Sequence, residues 1–321
     1  MTDSDVQAAR KAADLEEVLA GLALPQKRLS PKYFYDERGS KLFEAITEQP
    51  EYYPTRTEIG ILEENIEAIG EALGTGVSLI EFGAGASVKV RILLDHVPGI
   101  GVFVPVDISG DHLQAAADTL ARAYPKIEVL PVTADFTRPF QLPSPRVMPD
   151  RNIVFFPGST IGNFPPEAAQ ELLTTMRRTA GDGGGLLIGV DLKKDAEVLE
   201  RAYNDEAGVT AAFNCNMLHH LNGRLGTNFR PEAFKHRALY NEDEGRIEMH
   251  LVSQCRQSVN LAGQQFEFAP DEYLLTECSY KFSLEDFAAL ADAAGFTVDT
   301  VWQDADALFS VQYCRTKDER R

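Results

Sequence analysis

VSLIEFGAGAS, residues 77–87, is the stretch on which the reading of this chain turns. VSLIEF is a short apolar run that ends at glycines, the pattern of a buried strand meeting a tight turn. Within Ile80-Glu81-Phe82-Gly83-Ala84-Gly85-Ala86-Ser87 an acidic residue closes the strand, and the glycines let the backbone turn close to a ligand. The motif stops short of a full GxGxxG because position 88 is Val. That weakens a dinucleotide reading, in which a pyrophosphate rests on the helix N-terminus. A ligand without phosphates fits better. Taken alone, the turn serves a plain strand–helix connection as well as it serves a ligand loop.

Outward from this point, strands and helices alternate. SVKVRILLDHV (87–97) reads as a helix, GVFVPVD (101–107) as a strand and DHLQAAADTLARAY (111–124) as a helix. IEVLPVTAD (127–135) and NIVFFPG (152–158) are expected strands. PPEAAQELLTTMRRTAG (165–181) is a helix opening on prolines, and GGLLIGVDL (184–192) is a fifth strand. This alternation predicts a doubly wound parallel sheet covered on both faces. It stops near residue 193. Helix is expected over 194–222 and several antiparallel strands over 234–277, before SLEDFAALADAAG (283–295) returns as a helix with a terminal strand pair behind it. On the other side, helices are expected over 6–22, over 39–48 and from a Thr55 cap to about residue 73. The α/β domain therefore carries an insert, and residues 1–53 are expected to pack with that insert. A cleft between sheet and insert is the expected place for a small substrate.

In such sheets, ligands sit beyond the carboxyl ends of the strands. Three further ends draw attention. Asp107 closes its strand 24 residues after Gly83, where an acidic residue can accept from both hydroxyls of a ribose; a helix cap is the alternative. Asp135 and Phe136 can take an adenine amino group and cover a base face, though an Asp after a strand is also an ordinary turn residue. Phe155-Phe156-Pro157-Gly158-Ser159-Thr160-Ile161-Gly162-Asn163-Phe164 follows an apolar strand with more backbone freedom than a plain connector needs, and is expected to face a transferred group. Together the four ends resemble the class I methyltransferase fold.

Composition narrows the partners. A net charge of −18 repels polyanions and argues against nucleic acid and anionic membrane. No apolar run has the length of a membrane span. The N-terminal MTDSDVQAARKAADLEEVLAGL carries acidic residues early and no apolar core, so a helix is expected there rather than a secretory leader. Cys215, Cys255, Cys278 and Cys314 form no CxxC pair, and the adjacent His219 and His220 make a poor chelate, so no metal is expected and reduced thiols in a cytoplasm are.

Other segments make the resemblance specific. YFYDERGSKLFEAITEQPEYYPTRTE (33–58), FFPGSTIGNF (155–164), AYNDEAGVTAAFN (202–214), RIEMHL (246–251) and LLTECSYKF (274–282) together resemble the histidine-specific methyltransferase family, the L-histidine Nα-methyltransferases of ergothioneine biosynthesis. The likeness spans essentially the whole chain in order. It implies a class I, Rossmann-like methyltransferase domain at 54–193 and 278–321, with an inserted α+β substrate-binding domain at 1–53 and 194–277. It implies S-adenosylmethionine as cofactor, and L-histidine with its mono- and dimethyl forms as substrates. It implies trimethylation of the α-amine to hercynine by a cytoplasmic protein, expected as a monomer. Residue by residue, Tyr35, Gly83, Lys89, Asp107, Asp135 and Phe136 match cofactor positions. Tyr52, Gly158, Asn163, Tyr203, Met249, Glu277 and Ser279 match substrate positions, and Thr210 and Phe213 are implied to line that pocket. Asn163 and Tyr203 are implied to hold the substrate carboxylate, and Glu277 with Ser279 and Tyr52 to read the imidazole. Tyr35 is the candidate amine contact; no general base is identified.

The chemistry accords with these types. A carboxylate accepts from an imidazole N–H, and a hydroxyl serves the second nitrogen or supports the carboxylate. Such a pair rejects a ring without donors, because the carboxylate would be left unpaired. Spacing alone reads Glu277 and Ser279 as the outward face of a strand, Met249 as core and Tyr203 as a surface aromatic. Three other readings remain open at this stage: a family member acting on another amino acid, a non-catalytic binding protein, and an NAD-dependent oxidoreductase, the last disfavoured by the incomplete glycine motif.

Overall fold

A computed structural model describes residues 3–85, 88–108 and 110–317. The chain divides into two compact units. One comprises Pro54–Lys193 and Lys281–Arg321, the other Met1–Tyr53 and Lys194–Tyr280. The last crossing falls after Tyr280 rather than after Glu277, because the strand containing both runs unbroken to Tyr280.

In chain order the elements begin with helices α1 (Asp3–Leu22), α2 (Glu37–Thr47), α3 (Tyr53–Glu64) and α4 (Ile66–Leu73). Then come β1 (Val77–Phe82), α5 (Val88–His96), β2 (Ile100–Asp107), α6 (Gly110–Ala123), β3 (Glu128–Val129), β4 (Val132–Thr133), β5 (Arg151–Phe156), α7 (Pro166–Ala180) and β6 (Gly185–Asp191). Helices α8 (Ala196–Tyr203) and α9 (Val209–Leu225) precede strands β7 (Phe234–Asn241), β8 (Arg246–Ser253), β9 (Gln257–Leu261), β10 (Gln264–Phe268) and β11 (Tyr273–Tyr280). The chain closes with α10 (Leu284–Ala293), β12 (Phe296–Gln303) and β13 (Phe309–Thr316).

The first unit is built on one sheet in the order β12-β13-β6-β5-β1-β2-β3, with β4 also on β2. The strands from β6 to β3 and β4 are parallel, and β13 runs antiparallel between β6 and β12. Strands β1 and β6 are buried at every residue, which is why they read as apolar runs rather than as alternating ones. Successive residues serve opposite faces. Ile80, Val154 and Ile188 join α7 and α10 through Leu172, Leu173, Met176 and Phe287. Leu79, Ile153 and Leu187 join α3 to α5 through Ile61, Leu62, Ile69 and Leu93. The chain leaves β1 in one direction toward β2 and returns on its other side as β5. The order therefore reverses between β1 and β5, the place where such sheets bind ligands.

The second unit holds a three-stranded antiparallel sheet, β11-β8-β7, and the hairpin β9–β10. Its residues 27–29 run beside β11, with Arg28 bridged to Leu275, and α9 packs on α2 and on β7 and β8.

Three expectations change. Helix is not continuous from Thr55 to residue 73. It starts at Tyr53, since Pro54 lacks only an N–H that a first turn leaves unused. It breaks at Asn65, whose side-chain amide donates to the Ile61 carbonyl. The expected strand at 127–135 shrinks to two short pairings either side of Leu130-Pro131, because a proline cannot donate to the ladder. Helix over 194–222 divides into α8 and α9, with Asp205 accepting from Val209 N and Thr210 N at 2.7 Å each.

Candidate active site

The carboxyl ends of β1, β2 and β4 carry Gly83, Asp107, Asp135 and Phe136, the expected cofactor residues of the sheet strands. Gly83 sits at φ +77°, a backbone region that side chains disfavour, and a Cβ there would stand 3.6 Å from the Phe136 ring. The turn is tied down by Gly83 N and Ala84 N, both donating to the Val106 carbonyl at 2.9 and 3.2 Å. Ala86 and Ser87, the rest of that loop, lie outside the described residues. Asp107 ends β2 half-buried, its carbonyl accepting from Ala134 N at 3.0 Å. Phe136 packs against Phe82 and Phe156, with centroids 5.5 and 6.0 Å away. Asp135 closes a turn: its Oδ1 accepts from Thr137 N at 3.0 Å and from the Thr137 hydroxyl at 2.6 Å. The ordinary turn role of that aspartate is therefore real, whatever else it does.

The loop after β5 is held by a residue that sequence reasoning passed over. Glu58 of α3 is fully buried. Both its carboxylate oxygens lie 2.9 Å from Gly158 N, and it is ion-paired with Lys89 of α5. Gly158 has φ +80° and Ser159 φ 54°. The Ser159 hydroxyl accepts from Asp191 N at 2.9 Å, and Asn163 closes the short 3-10 turn that follows. Asp191 in turn pairs at 2.8 Å with Lys281, and both side chains are buried. At the end of β1, Glu81 is buried. Desolvation pushes its carboxyl up to about 8; Lys89 opposes that shift, while Asp107 and Glu58 add to it.

The second unit gathers an aromatic group. Phe34 stacks on Phe213 at 4.5 Å, and Tyr35 lies 5.8 Å from Phe213 and 5.9 Å from Phe43. Phe43 reaches Tyr52 at 6.3 Å, and Tyr52 reaches Tyr203 at 6.3 Å. The Tyr203 hydroxyl donates to Ser279 Oγ at 3.0 Å. Glu277 stands opposite Met249 in the sheet, just past a register shift in β11. The bulged Thr276 turns inward, its single hydroxyl proton shared between Asn214 Oδ1 at 2.7 Å and the Met249 carbonyl at 2.9 Å. Met249 is core, as spacing alone has it, while Ser279 is buried rather than outward-facing. Tyr35, matched to a cofactor position, belongs to this aromatic group. Half of its surface is exposed, yet crowding around the hydroxyl, then Glu277, then Tyr203, push its pKa above the usual phenol value. Thr210 is buried in the first turn of α9, with Phe213 one turn on. Phe43 was missed because a lone phenylalanine in an amphipathic helix reads as core.

Parallel strands in this order, an antiparallel strand slotted beside the edge, and a glycine turn at the switch point define a class I S-adenosylmethionine-dependent methyltransferase. The cofactor suits the residues present. Gly83 keeps any Cβ away from the Phe136 ring at the turn, and Asp107 ends β2 with a carboxylate able to accept from a diol. Among the described residues no group of three His, Cys, Asp or Glu could hold a metal.

The model of the histidine-specific, S-adenosylmethionine-dependent methyltransferases matches residues 14–316, and the chain belongs to this family. It is 42% identical over 94% of its length to the histidine N-alpha-methyltransferase of Mycolicibacterium smegmatis, covering 93% of that protein. It is 40% identical to the Mycobacterium tuberculosis protein of the same name, over 90% of each. Ergothioneine biosynthesis protein 1 of Schizosaccharomyces pombe is 28% identical over 92% of the chain, which spans 40% of that longer protein.

Proposed function

We propose that this protein methylates the α-amino nitrogen of L-histidine three times, giving hercynine, the betaine used in ergothioneine formation. When bound, S-adenosylmethionine supplies a sulfonium methyl carbon open to in-line attack. The chain's own residues bind, orient and exclude water. Asp107 takes the ribose hydroxyls, Phe136 covers the adenine, and Gly83 and Lys89 complete that grip. Glu277 accepts from an imidazole N–H, and Ser279 and Tyr52 hold the ring against it. Met249, Thr210 and Phe213 shape the pocket wall. Each transfer needs a neutral amine. Tyr35, held protonated by its surroundings, offers a hydrogen bond rather than removing that proton. Rings of the aromatic group stabilise the quaternary product by roughly 0.5–2 kcal/mol.

The observation that carries this reading is the buried hydroxyl pair Tyr203–Ser279 beside Glu277, a polar reader set among aromatic rings. The protein works as a monomer on free small molecules, not on nucleic acid, in keeping with a net charge of −18. A cytoplasmic setting accords with four free thiols and with the finding that, among the described residues, no helix is long and apolar enough to cross a membrane. The test is incubation with S-adenosylmethionine and a panel of free amino acids, read by mass spectrometry. Histidine should appear one, two and three methyl groups heavier. Methylation of another amino acid with histidine untouched would replace the substrate, and no methylation at all would leave a binding protein.

A further inference from the structure

We propose that Glu58 is a positioning residue for methyl transfer, which sets Lys89 and the Gly158 loop in one fixed relation; this rests on the reading that Lys89 lies on the cofactor side. The carboxylate comes from α3, a helix before the βα alternation begins, and it is 0% exposed. A carboxylate buried alone costs several kcal/mol or loses its charge. Here it is offset twice: by the Lys89 ammonium, and by Gly158 N, which lies 2.9 Å from each oxygen. Two glycines are shaped around it. A Cβ on Gly189 of β6 would come within 2.0 Å of Glu58 Oε1, so the strand must be bare there for the carboxylate to lie against it. A Cβ on Gly158 would stand 3.4 Å from Lys89 Nζ, so the lysine lies close over that turn. One side chain thus fixes α5, the loop after β5, and β6 together.

Charge gives the arrangement a purpose beyond packing. Lys89 without its partner would present a full positive charge to a cationic ligand. Glu58 cancels that charge while leaving the long side chain in place. Glu58 need touch neither ligand; it acts through Lys89 and through the Gly158 backbone.

The test is E58Q, which preserves shape and one acceptor but removes the charge. Binding of S-adenosylmethionine, which carries the sulfonium charge, and of S-adenosylhomocysteine, which does not, is measured by calorimetry, and unfolding is followed without ligand. The expected result is a protein that still folds cooperatively, with a lowered melting temperature because Lys89 is left behind largely enclosed, and an affinity for S-adenosylmethionine at least tenfold weaker. K89M should weaken binding as well, and the double variant should be no worse than the weaker single, because the two side chains act as a unit. If E58Q does not fold, E58D keeps the charge but retracts it by one methylene, and the same loss of affinity is expected. Wild-type affinity in a folded Glu58 variant, or strictly additive losses, would overturn the inference while leaving the proposed activity standing. Wild-type protein that binds no S-adenosylhomocysteine would instead overturn the cofactor reading beneath it.

Discussion

The Tyr203 hydroxyl donates to Ser279 Oγ at 3.0 Å, joining the last turn of α8 to β11 inside the second unit. Both side chains are buried, so the bond cannot be exchanged freely for water. It orients the serine hydroxyl on the strand that carries Glu277. Y203F should therefore raise KM for histidine roughly tenfold, the worth of one buried hydrogen bond, with a smaller change in kcat. S279A should give a similar rise, and the double variant little more. Steady-state kinetics on the three variants checks this; fully additive effects would mean that the two hydroxyls act separately.

Glu277 stands just past the β11 bulge, opposite Met249. Removing a charged acceptor from a donor-bearing ring costs roughly 1.5–3 kcal/mol. E277A should lower kcat/KM for histidine by about 10- to 150-fold and narrow the preference for histidine over tryptophan, whose larger ring gains the space the carboxylate filled. Histidine kinetics unchanged in E277A would remove this residue from recognition.

The parallel sheet was legible because its strands are buried on both faces, so β1 and β6 appear as apolar runs punctuated by glycine. The proline that cuts residues 127–135 into two pairings was equally visible in the sequence, but its effect depends on having neighbours that need its missing N–H. The proposed readers of the second unit were legible only through family resemblance. Glu277 and Ser279 share strand spacing with any exposed pair, and it takes the bulge at Thr276 and the partner on α8 to distinguish them. Glu58 carried no local signal at all. A glutamate in the first turns of a helix is commonplace, and what marks this one is glycine at 158 and 189, far along the chain.

Glu81 makes stability depend on pH in a predictable direction. Burial raises its folded pKa from the ordinary carboxylate value of 4.5 to about 8. Between those values the folded state holds a proton that the unfolded state has released. Its contribution to stability is therefore intact below pH 4.5, declines as pH rises toward 8, and is flat beyond. The slope reaches about 1.4 kcal/mol per pH unit at most. E81Q mimics the protonated form at every pH. Urea unfolding at pH 6 and pH 8.5 should show wild type losing more stability than E81Q across that interval. Equal losses would mean that Glu81 is ionised throughout.

Lys281 and Asp191 form an ion pair at 2.8 Å with each side chain 1% exposed. A pair so enclosed adds little net stability over an apolar pair of equal volume, since both charges were stripped of water to make it. Losing one member is different, because the other charge stays behind. K281M should cost roughly 3–5 kcal/mol by urea unfolding. The damage should also reach the loop after β5, because Asp191 N donates to the Ser159 hydroxyl, and Ser159 is held at φ 54°. D191N paired with K281M removes both charges and should recover part of the lost stability. A K281M protein as stable as wild type would mean that Asp191 takes up a proton or finds water once its lysine is gone. Recovery of stability in the double variant without recovery of activity would separate the ion pair's structural role from its hold on that loop.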